Sequence, residues 1–403
     1  MFNTRRLHFF SGAFIVLLLT ACSSTPHKKV VLNDRVAQDK LAPVELPKPI
    51  PPKPKIIVQA PKPIISTPAP EPIVTIPLRP EGNVGFYNAE MITGDYAGYA
   101  STRRFIDRLS SQHGFDANYL KGLFSEAERK DFVLRLMNKQ APSKGGKKRP
   151  GNWSSYRKKF ITSSRIRQGA AFWDEHADTL ARAETEFGVP AEIIVGIIGV
   201  ETVWGRNFGK TSILDALTTL SFDYPRRARY FSTELEKFLI MSRDEKFDPK
   251  EKRGSYAGAM GYGQFMPSSF IDYAVDFNND GKRDLWNPVD AIGSVANYFQ
   301  SHGWQSGEPV IISARSKGKK YRSLDWGFKT KYSLAKLKRY GVRPLQQALA
   351  DTFSLIRFRT TKGEKIWLGM KNFYVITRYN HSSKYAMAVY QLGQKVKKRH
   401  FGG

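Results

Sequence analysis

Glu201 stands near the end of an apolar helical run, Pro190 to Gly205, in which Ile193, Ile194, Ile197 and Ile198 fall at spacings that share one face. Glu201 lies on that same stripe, three residues after Ile198, four after Ile197 and seven after Ile194. A carboxylate among apolar neighbours loses hydration, so its pKa rises toward the range in which a carboxyl group works as a general acid. The position also suits a helix-terminal glutamate paired with Arg206, and the local pattern leaves both roles open. Glu192, nine residues earlier, points to the opposite side and reads as an ordinary solvated glutamate. No second acid shares the face of Glu201 at helical spacing, although Asp215 and Asp223 are near enough in sequence for folding to bring them in.

A second group of residues has ligand chemistry. Asp276, Asn278 and Asp280 place side-chain oxygens at alternate positions, Gly281 suits a sharp turn, and Lys282 offers a backbone carbonyl, as at the start of an EF-hand loop. The twelfth position holds Asn287 in place of a bidentate Glu, and Asp290, three residues on, is the acid available to close a longer loop. The same residues also suit an Asx-rich turn without metal. Scattered histidines and a single cysteine give no basis for a zinc site.

These groups need a scaffold, and the pattern supplies a mainly helical one. Residues from Ile166 to Phe187 put Trp173, Ala177, Leu180 and Phe187 on one face, Gly188 supplies a stop, and Pro190 opens the next helix at its first turn. Glu308 to Arg315 and Leu355 to Leu368 are richer in β-branched and aromatic residues and predict a small sheet. Ser382 to Val396 is helical again.

The first residues have a different character. Arg5 and Arg6 precede an apolar run from Phe9 to Leu19, too short for a membrane span and suited to a signal peptide. The run ends in Leu19-Thr20-Ala21-Cys22, which resembles a lipoprotein cleavage and acylation site, and Ser23 after the cysteine resembles the pattern sorted to the outer membrane. With Cys22 the only cysteine, no internal disulfide can form. Leu41 to Pro80 is so rich in proline that it reads as a semi-rigid tether, extending up to about 3.1 Å per residue. The net charge of +28 calls for polyanionic surroundings, but an exported chain does not meet nucleic acid, and wall carboxylates and lipid phosphates take its place.

Several long motifs in fixed order make the reading specific. Glu201-Thr202-Val203-Trp204-Gly205, followed by Gly258-Ala259-Met260-Gly261-Tyr262-Gly263-Gln264-Phe265-Met266-Pro267-Ser268, resembles the lytic murein transglycosylases of the membrane-bound B type. The likeness continues through Tyr156-Arg157-Lys158-Lys159-Phe160, Tyr224-Pro225-Arg226-Arg227, Leu285-Trp286-Asn287-Pro288-Val289-Asp290-Ala291 and Thr377-Arg378-Tyr379-Asn380-His381-Ser382.

The resemblance implies an α+β fold: a lysozyme-like helical core with an added helical domain, a small β domain and an EF-hand-like loop. It implies cleavage of the β-1,4 bond between N-acetylmuramic acid and N-acetylglucosamine without water, giving 1,6-anhydromuramoyl ends. Glu201 would be the single catalytic carboxylate; a hydrolytic muramidase, or a silent murein-binding lipoprotein, is the alternative. Ser255 would contact an acetamido region or orient Glu201, and Gln264 and Asn380 would bind sugar polar groups. Tyr156, Tyr298, Tyr379 and Tyr385 would line the groove, and Arg226 and Arg227 would meet peptide carboxylates. The glycines at 258, 261 and 263 would let backbone approach the glycan. No cofactor is needed for catalysis, and a structural calcium would sit on Asp276, Asn278, Asp280, Lys282 and Asp290. The expected partners are peptidoglycan strands and, through lipid on Cys22, the membrane, with room for other cell-wall proteins but no nucleic acid. The expected division is a signal peptide over 1–21, lipidated N-terminus and tether over 22–82, helical core regions over 83–304, β domain over 305–372 and a returning C-terminal helix over 373–403, in an outer-membrane lipoprotein facing the periplasm.

Overall fold

Helix Ala191–Thr202 carries apolar residues on almost every side, and a helix of that kind must be enclosed by others. In the computed structural model, which describes residues 84–140, 152–348 and 350–402, it is the central element, buried from Ala191 through Val200. The segment with Cys22 and the proline-rich stretch lie outside the described residues.

Around the central helix pack Ser163–Glu175, Ala177–Phe187, Pro288–Ser301 and, most extensively, Ser383–Phe401. Two glycines set the closeness of that last contact: a Cβ at Gly196 would run into the Val389 carbonyl, and one at Gly393 into the Glu192 carbonyl. The two helices therefore meet backbone to backbone. That contact also overturns the solvated reading of Glu192, which is only 8% exposed and bonds Lys397 Nζ at 3.1 Å and Gln394 Nε2 at 3.3 Å. Its helical position was read correctly, but a helix two hundred residues later covers it.

The apolar face from Ile166 to Phe187 is carried by two helices, broken at His176, where the backbone leaves the helical region and the ring packs 4.5 Å from Phe172. Gly188 ends the second in a left-handed cap, φ +68°. Pro190 stands one position earlier than expected, as the extended residue before the central helix.

A further helical group, Ala100–His113, Ala117–Ser125 and Asp131–Gln140, leans on Ile213–Asp223 and Ala228–Asp244. It is held there by Lys130 to Asp215 at 3.3 Å, Arg129 to Asp223 at 3.1 Å, and the Glu128 amide to Asp215 at 3.0 Å.

The small sheet forms from the two predicted stretches with two short edge strands. In space the order is Lys331–Ser333, Thr352–Thr360, Gly363–Gly369, Ile311–Ser316 and Val342–Pro344, every pairing antiparallel. Its own apolar cluster includes Ile312, Phe353, Leu355 and Leu368, and Phe358 stacks on Trp153 at 5.1 Å, which fixes the sheet to helix Trp153–Lys158.

Candidate active site

Glu201 occupies the last turn of the central helix, and the chain then makes an unusual exit. Val203, Trp204 and Gly205 all take positive φ, at 56°, 55° and 80°. For a β-branched residue that conformation costs on the order of 1–3 kcal/mol, so the surroundings must impose it. Thr202, fully buried, supplies part of that constraint: its hydroxyl donates to the Tyr262 carbonyl at 3.0 Å and accepts the Gly205 amide at 3.1 Å. Trp204 supplies the rest, bonding back to the Val195 carbonyl at 3.1 Å, with its ring in a notch that a Cβ at Gly169 or Gly199 would fill. The motif Glu-Thr-Val-Trp-Gly is thus a device that stops the helix one residue after the acid and fixes the acid's direction.

The Glu201 carboxyl is partly buried, and desolvation pushes its pKa up to about 7, opposed by one hydrogen bond. That bond comes from Tyr385 Oη to Oε1 at 2.5 Å, across 184 residues of sequence. Tyr385 lies in the first turn of Ser383–Phe401, whose N-terminus is capped by Ser382 Oγ accepting the Tyr385 amide. Among the described residues no cation pairs with Glu201: Arg206 is exposed, so the ion-paired alternative is not realised. Asp215 and Asp223 are occupied by Lys130 and Arg129 and contribute nothing to its titration.

The tyrosines form a column leading away from the acid. Tyr385 stacks parallel to Tyr379 at 6.5 Å, and Tyr379 meets Tyr298 edge-on at 4.8 Å. Tyr379 also donates to the Gly263 carbonyl at 2.5 Å. Burial, and then the charge of Glu201, holds the phenols of Tyr379 and Tyr385 well above their ordinary range, so both remain donors. Tyr156 is pushed up to about 12 by burial and by Glu201, which places it in the same electrostatic neighbourhood. Tyr298, 8% exposed, stacks on His302 at 4.0 Å and backs Tyr379 from within the core.

Gln264 sits at φ +53° with its Nε2 donating to the Phe208 and Gly261 carbonyls, while its buried Oε1 has no partner. Asn380 Oδ1 is likewise buried without a partner. Two such acceptors are costly unless a ligand supplies donors. Ser255 Oγ accepts the amides of Ala257 and Ala259 and so shapes the glycine loop. In that loop, a Cβ on Gly258 would meet Leu217 and one on Gly261 the Leu285 carbonyl. These two glycines therefore let the loop approach the protein's own core, where backbone contact with a glycan was expected. Arg226 is exposed and Arg227 lies 4.0 Å over the Tyr230 ring. Neither contacts the Glu201 cluster among the described residues.

At the acidic loop, Asp276 accepts the Asp280 and Gly281 amides, Asp280 Oδ1 accepts the Lys282 amide at 2.9 Å, and Gly281 takes φ +84°. Asp290, fully buried, accepts the amides of Phe277, Asn278 and Asp284. Burial raises its pKa despite those bonds, and the nearby Asp276 charge adds to the rise. Asn287 caps helix Pro288–Ser301, accepting the Val289 amide at 2.9 Å. The turn follows the start of an EF-hand loop and departs from it at the twelfth position, where Asn287 serves a helix; among the described residues no three acidic, cysteine or histidine groups stand close enough to make a metal site by themselves. The donor set is nonetheless all hard oxygen, of the kind calcium takes.

The transglycosylase SLT domain profile matches residues 99–394. The membrane-bound lytic murein transglycosylase B of Escherichia coli (strain K12) is 54% identical over 315 residues, 77% of this chain and 86% of that protein. The Escherichia coli lytic transglycosylase SLT35 solved in complex with calcium is 53% identical, with a TM-score of 0.73, covering 77% of this chain and 96% of that one. SltB3 from Pseudomonas aeruginosa, solved in complex with NAG-anhNAM-pentapeptide, is 30% identical with a TM-score of 0.64, covering 74% and 80%.

Proposed function

The chain belongs to the transglycosylase SLT family and is a lytic transglycosylase acting on peptidoglycan, and we propose that Glu201 serves as both acid and base in its reaction. The observation that carries this is a carboxyl whose desolvation pushes its pKa up to about 7, bonded by a phenol, with no second carboxylate among the described residues in its electrostatic environment. Retaining and inverting hydrolysis usually need a placed pair. One carboxyl suffices for internal transfer.

In the proposed sequence the protonated Glu201 donates to the glycosidic O4 as the C1–O4 bond to N-acetylglucosamine breaks. The resulting carboxylate takes the proton from the muramoyl C6 hydroxyl while O6 bonds to C1. The proton is thereby returned to Glu201, no water is consumed, and the product carries a 1,6-anhydro ring. Tyr385 steadies the carboxylate form between the two transfers. The vacant acceptors of Gln264 and Asn380 take amide or hydroxyl donors of the sugars. Tyr156, Tyr379 and Tyr385 border the sugar faces, with Tyr298 behind them; Ser255 holds the loop, and Arg226 and Arg227 meet peptide carboxylates. Mass analysis of digested murein tests this: anhydro-muropeptides support it, and reducing muramic ends would mean that water enters and the chain is a muramidase.

A structural calcium on Asp276, Asn278, Asp280, the Lys282 carbonyl and Asp290 completes the proposal, since it would offset the charges of three aspartates, one of them buried. Acylation of Cys22 would make the chain an outer-membrane lipoprotein facing the periplasm, with 22–82 as tether, 83–304 as helical body, 305–372 as β domain and 373–403 returning to the core. Loss of lipid labelling in Cys22→Ser tests the anchor.

A further inference from the structure

Against helix Trp153–Lys158 lies a cleft of about 680 Å³ whose lining does not include Tyr156. Its walls come from three elements: that helix, the hairpin Thr352–Thr360 and Gly363–Gly369, and the C-terminal helix. Among the described residues five cations line it, Arg157, Lys362, Lys365, Lys395 and Lys398, and no carboxylate does. Among the described residues none of the five is ion-paired; the nearby acid Glu364 is taken by Arg357 at 3.0 Å. Arg157 is already oriented, its Nε donating to Gln391 Oε1 at 2.9 Å, which leaves its terminal nitrogens free for a ligand. The apolar part of the surface is aromatic, from Trp367 and Tyr390, with amide groups beside it from Gln391 and Gln394.

Aromatic faces and amides suit sugars, while unpaired cations suit carboxylates. A lysine-rich helix face left to solvent would not explain rings and a fixed arginine in the same concavity. We propose that this cleft is a second, non-catalytic binding site for peptidoglycan, which holds the carboxylates of stem peptides together with the sugar that bears them. The proposal rests on peptidoglycan being the substrate. The occupant fits the charge of the cleft, and one polymer can reach both sites, so holding at one raises the effective concentration at the other.

The test is co-sedimentation of the full chain, carrying Glu201→Gln so that nothing is cut, with purified sacculi and with sacculi stripped of peptide by an amidase. Two charge-reversed pairs on separate elements, Lys395→Glu with Lys398→Glu and Lys362→Glu with Lys365→Glu, guard against a folding artefact, and thermal melts of each accompany the assay. Each pair is expected to weaken binding to intact sacculi about fivefold or more, and to leave binding to peptide-free glycan much less affected. Unchanged binding to intact sacculi overturns the proposal, as does a loss confined to vesicles containing phosphatidylglycerol, which would assign the cleft to a membrane surface. Release of anhydro-muropeptides by the chain with Glu201 intact reports on the reaction separately, so failure of the cleft and failure of the catalytic reading are distinguishable.

Discussion

At the scale of the residue, the proposed chemistry depends on a proton held by Glu201 near neutrality. Glu201→Gln is expected to lower murein cleavage by three or more orders of magnitude, read as anhydro-muropeptide release, since no other group replaces the donor. In the proposed reaction the acid form is the working form, so cleavage should fall as pH rises through about 7. Tyr385→Phe removes the bond that favours the carboxylate and should move that fall to higher pH, visible in a pH profile of the rate. The same titration governs stability. The folded pKa is raised above the unfolded 4.5, so this group's contribution is fully present below pH 4.5 and is lost as pH rises to about 7. Glu201→Gln should therefore melt higher than the parent at pH 8, by on the order of 1–3 kcal/mol, and match it near pH 4. The carboxyl's apolar stripe was legible from the isoleucine spacing. Its phenol was not, because no local periodicity links residues 201 and 385, and only the family resemblance named Tyr385 for the same groove.

At the scale of the element, the central and C-terminal helices show where local pattern fails and why. Spacing put Glu192 outward and Gly393 nowhere in particular, yet the two meet, because a helix enclosed on all sides has no outward face. Gly393→Ala would gain up to about 1 kcal/mol of helix propensity but drive a methyl into the Glu192 carbonyl, a clash worth about 1–3 kcal/mol. The clash wins, and a melting temperature several degrees lower is expected. The sheet was easier to read, since β-branched and aromatic residues mark Leu355 to Leu368 as strand, and Leu355 does pair with Leu368. The break at His176 was invisible, for the apolar face continues across it.

At the scale of the whole molecule, the net charge of +28 and the acidic loop pull in opposite directions. Wall association should weaken as salt shortens the screening length below about 10 Å, measurable by co-sedimentation across ionic strengths. The loop carries Asp276 and Asp280, with Asp290 bonded to its backbone, against that trend. Chelation is expected to lower the melting temperature by several degrees, and an unaltered melt would argue that the amide bonds to the loop carboxylates are enough. The loop's spacing announced oxygen ligands, but not that Asn287 would be spent on capping a helix.

The phenol that completes the acid is carried by Ser383–Phe401, made 184 residues after the carboxyl it bonds. A half-made or half-exported copy has the carboxyl but neither its bonding partner nor the wall that keeps water off it. A chain cut short before Ser383 is therefore expected to release no anhydro-muropeptides from murein.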